Sequence, residues 1–167
     1  SPPIGHRLVA FTRDMISLDH LLPVIWRWSG QGGRDAVIVF IGAMPTVDWR
    51  IEAAESMPGV HVRTLLDLTV DLDIGAMLRD LLAGAAGRVV VFDKSNDVTG
   101  RIFGGAARRN HAAFVALPHG EEAFANKLTK THETEMPAAP HHRADLYDLS
   151  VHSSDFTIVK YGLPTGP

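Results

Sequence analysis

AVIVFIG, Ala36–Gly42, is a short run that is apolar throughout, rich in β-branched residues and closed by a glycine. A run of that length with no polar alternation predicts a strand buried on both faces. Chains bury strands that way in a parallel sheet with helices above and below it. The flanking sequence repeats the theme. RLVAFT (Arg7–Thr12) is a candidate first strand, and RVVVFD (Arg88–Asp93) and AAFVALP (Ala112–Pro118) are further buried ones. GVHVRTLL (Gly59–Leu66) alternates more and belongs nearer an edge of the sheet, and FTIV (Phe156–Val159) is a candidate sixth strand.

Helical periodicity fills the gaps between these runs. In SLDHLLPVIWRW, Leu18, Leu21, Leu22, Ile25 and Trp26 share one face, with Ser17 or Asp19 as cap and Gly30 near the end. Pro23 must then lie near the first turn or kink the helix. Residues 47–56 and about 98–109 read as helices, and Ile74, Met77, Leu78, Leu81 and Leu82 mark another, capped by Asp71 or Asp73. The glycines of GRIFGGAARR (Gly100–Arg109) are expected to permit close helix–sheet packing.

Alternating strands and amphipathic helices build βαβ units. The fold class is therefore α/β, a Rossmann-like three-layer domain with a mostly parallel sheet of about six strands. Residues 1–167 form one such domain. The segment 129–154 is polar and rich in Pro, Ala and His, about twice the length of an ordinary connection, and reads as a functional or mobile loop.

Composition removes several classes of function. Apolar residues make up 46% and charged residues 21% of 167, with mean hydropathy near zero, which suits a globular domain and not a disordered chain. The net charge is −3 and no basic run exceeds Arg108-Arg109, which argues against a nucleic-acid partner. With no cysteine, thiolate chemistry and disulfides are excluded. The longest apolar run, Ala36–Met44, is too short for a transmembrane segment, and no signal-peptide pattern follows Ser1-Pro2-Pro3. A cytoplasmic location is expected, with peripheral attachment to the membrane as the alternative. The chain has no initiator methionine and ends in YGLPTGP, which reads as a linker, so an excised part of a longer protein is expected.

Open parallel sheets bind ligands beyond the carboxyl ends of their strands. Applied here, that rule gathers Thr12 and Arg13 after the first strand, Lys94, Ser95 and Asn96 after the fourth, and His119 and Gly120 after the fifth. A histidine there titrates near neutrality and serves as acid, base or hydrogen-bond donor. Gly120 lets the backbone turn and a ligand approach. Lys94 suits a phosphate or carboxylate, with Ser95 and Asn96 as neutral donors. Each residue also has a plain structural role open to it: His119 or Ser95 capping a helix, Arg13 as a solvated loop charge. His132, Glu133, His141, His142, Asp145 and Asp148 invite a metal, but no HExxH is present and no metal is expected. Walker A, GxGxxG after the first strand and GxSxG are all missing, which counts against an ATPase, a dehydrogenase and an α/β-hydrolase.

The succession SLDHLLPVIWRW, AVIVFIG, RVVVFDKSND and FVALPHGEEAFANKL resembles the N-terminal domain of glycosyltransferases with two Rossmann-like domains, the GT-B fold. It is most similar to bacterial enzymes of surface-polysaccharide synthesis and to CDP-glycerol glycerophosphotransferases. The resemblance covers most of residues 7–128 and implies that Leu117-Pro118-His119-Gly120 faces the cleft between domains. It also implies an acceptor-side domain, with His119 as catalytic base or donor and Thr12, Arg13, Lys94, Ser95, Asn96 and Gly120 binding a glycan or glycerol-phosphate acceptor. No cofactor is expected in this chain. A nucleotide-sugar or CDP-glycerol donor would need the chain's own C-terminal domain, which this sequence does not supply. Two alternatives stand: a sugar-nucleotide 2-epimerase-like domain, and a non-catalytic binding or oligomerisation domain. Joint exposure of Trp28 and Trp49 would favour the latter.

Overall fold

The computed structural model describes residues 5–13, 15–92, 97–116 and 149–150. Along the chain run β1 (His6–Thr12), α1 (Met15–Ser29), β2 (Arg34–Phe40), α2 (Trp49–Ser56), β3 (Val60–Thr64), α3 (Leu65–Leu68), α4 (Ile74–Leu82), β4 (Gly87–Phe92), α5 (Asp97–Arg109), β5 (Ala113–Ala116) and β6 (Leu149–Ser150). The strands form one sheet in the order β3-β2-β1-β4-β5-β6, and every pair is parallel. This is the doubly wound, Rossmann-like arrangement, with β3 at an edge as its alternation predicts.

Each central strand divides its side chains between two cores. Val9 and Phe11 of β1, Val37 and Val39 of β2, and Val90 and Phe92 of β4 pack with Met77, Leu78 and Leu82 of α4 and Phe103, Ala106 and Ala107 of α5. Leu8 and Ala10 of β1, and Ala36, Ile38 and Phe40 of β2, face the other way onto Leu18, Leu21 and Ile25 of α1 and Ile51 and Ala54 of α2. Two buried faces leave no polar position in the middle of a strand, which is why AVIVF is apolar throughout.

The helices depart from expectation at particular residues. α1 opens at Met15, so Ser17 is not its cap but a fully buried residue inside it, and Asp19 pairs with Arg50. Pro23 consequently sits in the helix interior, where its ring nitrogen cannot donate to the carbonyl four residues back. Trp26, expected on the core face, is 66% exposed, because the buried stripe runs Leu18–Leu21–Ile25 and Trp26 falls beyond its edge. Leu65 and Leu66 leave the strand expected over Gly59–Leu66. Thr64 Oγ1 accepts the Asp67 N–H at 3.2 Å and the Asp67 carboxylate accepts the Thr64 N–H at 3.4 Å, a reciprocal cap that turns the chain into α3. Asp73 caps α4 by accepting the Ala76 N–H at 2.9 Å. A Cβ on Gly105 would meet the Arg109 guanidinium at 3.4 Å and not the sheet, so that glycine does not serve close helix–sheet packing. The sixth strand is Leu149–Ser150, inside the segment read as a loop over 129–154, whereas Phe156–Val159 lies outside the described residues.

Candidate functional site

The strand order reverses between β1 and β4: the chain leaves β1 toward β2 on one face and leaves β4 toward β5 on the other. Connections that diverge in this way open a crevice beyond the carboxyl ends of the two strands. Arg13, the residue after β1, occupies that junction. It is half-buried, and its guanidinium carbon lies 5.7 Å from the ring centroid of Phe92, the last residue of β4. That is cation–π range. The Phe92 ring is itself backed by Phe103 at 5.0 Å and Phe11 at 6.3 Å between centroids, so the platform beneath Arg13 is part of the core.

The neighbouring loops are stitched to the same edge. Thr12 is fully buried and its carbonyl accepts the Ile41 N–H at 2.9 Å, tying the exit of β1 to that of β2. A Cβ on Gly42 would stand 3.4 Å from the Arg13 carbonyl, so the two loops run close together there. Asp48 then caps α2, accepting the Arg50 N–H at 2.9 Å. The Arg50 guanidinium grips Asp48 through Nε to Oδ1 at 2.9 Å and Nη2 to Oδ2 at 2.8 Å. Its Nη1 donates back to α1, to the Met15 carbonyl at 3.3 Å and Asp19 Oδ2 at 3.1 Å. The hydrogen bond from the Arg50 side chain holds the Asp48 carboxyl below its ordinary pKa, and the same bond raises that of Arg50.

Of the residues selected from sequence, Thr12 and Arg13 stand at this edge, Thr12 within the packing and Arg13 over Phe92. Lys94, Ser95, Asn96, His119 and Gly120 lie outside the described residues. Sequence reading missed Phe92 as a platform and Arg50 as a link between helices. The pairing of Asp48 with Arg50 at a helix start was a readable local signal, whereas the reach to Asp19 was not. Trp28 and Trp49 are not exposed together. Trp28 is half-buried, its Nε1 donates to the Asp35 carbonyl at 2.7 Å and Arg34 lies 4.6 Å over its ring, whereas Trp49 is 70% exposed. Among the described residues, no three His, Asp or Glu side chains are grouped so as to hold a metal ion, and no helix is long and apolar enough to cross a membrane.

No family model matches the sequence, and no curated protein matches it. Among solved structures, the chain is similar to TcCGT1 in complex with UDP, with a TM-score of 0.49 and 15% identity over 95% of this chain and 41% of that one. This chain thus spans less than half the length of that protein. The likeness is a loose one of overall shape, and the assignment of fold rests on the strand order and register above.

Proposed function

We propose that this chain is the acceptor-side domain of a glycosyltransferase or glycerophosphotransferase of surface-polysaccharide synthesis, and that it binds acceptor at the β1/β4 crevice. The observation that carries the reading is the placement of Arg13 over Phe92 at the switch point of the sheet. A guanidinium at that place has the charge and planar geometry that suit a phosphate or sugar hydroxyls. The sequence resemblance through FVALPHGEEAFANKL adds His119, three residues after the described end of β5. In this reading His119 takes the proton of the acceptor hydroxyl or donates to the transferred group, and Lys94 and Asn96 help orient the acceptor. Donor binding belongs to a second domain, so the chain alone binds acceptor and catalyses no transfer.

Ligand-observed NMR with CDP, UDP, glycerol phosphate and short glycans tests this on the wild type, Arg13→Ala and His119→Ala. Binding of glycerol phosphate or a glycan that either substitution abolishes supports the reading. Tight binding of a nucleotide by this chain alone would overturn the assignment to the acceptor side.

A further inference from the structure

We infer that Arg50 is a positioning residue for the crevice: it fixes the start of α1, and through it Arg13, against the loop that leaves β2. This rests on the reading above only for the ligand it serves, because the mechanical part stands on geometry. Arg50 belongs to α2, yet its side chain spends one of its three guanidinium nitrogens on α1, at the Met15 carbonyl and Asp19. Met15 is the first residue of α1 and lies two residues after Arg13.

The other two nitrogens make a bidentate pair with Asp48, so the guanidinium plane has no rotational freedom to give. The Arg50 side chain is 21% exposed and that of Asp19 51%, so the contact with Asp19 lies at the surface and the two bonds to Asp48 are what orient the guanidinium toward it. A cap for α2 alone would need only Asp48, whose carboxylate already accepts the Arg50 backbone N–H. The reach to α1 is the part that capping does not explain. It closes a ring of contacts: Arg50 holds Met15, the Thr12 carbonyl holds Ile41, and the Arg13 carbonyl lies against Gly42. Loosening that ring frees the backbone on which Arg13 stands, while the core beneath Phe92 stays packed.

The test reads Arg13 directly. Its side-chain Nε–H resonance senses the ring current of Phe92, so it reports the position of the guanidinium without any ligand. Asp19→Asn weakens the grip on α1 and leaves the Asp48 pair intact, and Arg50→Met removes both. The expected result is that both substitutions move the Arg13 resonance toward its value in Phe92→Leu, with the amide resonances of Val9 and Val37 unchanged. An Arg13 resonance that stays in place in folded Asp19→Asn and Arg50→Met would overturn the inference and leave Arg50 as a helix cap. If Arg50→Met does not fold, Arg50→Lys decides, because a single ammonium that keeps the ion pair with Asp48 gives up the fork that reaches the Met15 carbonyl. A second arm titrates glycerol phosphate, and the affinity of Arg50→Met is expected to fall about tenfold, as for a misplaced binding group. Failure of the wild type to bind glycerol phosphate counts against the proposed function and leaves the resonance test of Arg50 standing.

Discussion

Arg7 and Asp35 face each other across paired positions of β1 and β2, and their side chains meet through two parallel hydrogen bonds, Nε to Oδ1 at 2.9 Å and Nη2 to Oδ2 at 2.6 Å. Nη1 of the same arginine donates to the Leu81 carbonyl, near the end of α4. One guanidinium thus joins two strands to the helix that crosses them, at the amino-terminal ends of those strands.

Removing one partner leaves the other short of hydrogen bonds at side chains less than a fifth exposed. Arg7→Met is expected to lower stability by about 2 kcal/mol, and Arg7→Met with Asp35→Leu to lose less than the two single losses added together. Urea unfolding of the three variants checks this, and strict additivity would show that the pair is not coupled.

Acid should weaken the fold through two carboxylates. Asp48 is held below its ordinary pKa first by the Arg50 side chain, and Asp71 first by the Thr69 hydroxyl, which donates to it at 2.9 Å. A carboxyl whose pKa is depressed by folding adds stability above its unfolded pKa and loses it as the pH falls through the folded value. The contribution is therefore complete at neutral pH and disappears below about pH 4. Thermal melts from pH 7 to pH 2 should show that Asp48→Asn and Asp71→Asn each flatten the acid limb. An unchanged limb in the double variant would place the acid sensitivity elsewhere.

His111 sits at φ 55° just past the end of α5. The Ala112 N–H bonds the Ala107 carbonyl at 3.0 Å and the His111 N–H bonds that of Arg108 at 3.0 Å, which is the Schellman closure of a helix. Side chains resist that left-handed conformation and glycine does not. His111→Gly is expected to raise stability by about 0.5 to 1 kcal/mol, read as a higher urea midpoint at unchanged slope.

Two glycines near the start of the sheet should respond oppositely. A Cβ on Gly5 would stand 2.6 Å from the Gly33 carbonyl oxygen, which already accepts the His6 N–H at 2.9 Å, so neither strand can yield. A Cβ on Gly32 meets nothing within 4 Å. Gly5→Ala is expected to cost about 1 to 3 kcal/mol and Gly32→Ala to be neutral or slightly stabilising. Matched thermal melts decide, and equal effects would contradict the close approach at Gly5.

Much of the architecture was legible because it is local. Apolar runs at Arg7–Thr12, Ala36–Gly42, Arg88–Asp93 and Ala112–Pro118 each overlap an observed strand, and Asp73 was readable as the cap of α4. The start of α1 was not, because no side chain at Met15 advertises it, and Trp26 was misplaced by a single step around the helix. At the crevice, Arg13 was selected from its position after a strand. Its partner Phe92 was not, since a phenylalanine ending a buried strand looks like any core residue.

The sequence by itself carried most of the strands and helices, since period and capping are properties of neighbouring residues, but not α3, whose Leu65 and Leu66 read as strand, nor β6, which lies in a segment read as loop. It also determined that the sheet is parallel, because strands apolar on both sides require cover on both faces. Tertiary packing set the order β3-β2-β1-β4-β5-β6, and with it the switch point between β1 and β4. It alone brought Arg50 to Asp19 and Arg13 to Phe92, across separations in the chain that no local pattern spans. Those contacts arise when helices and strands pack as whole bodies, and their partners are fixed by three-dimensional register and not by spacing along the chain.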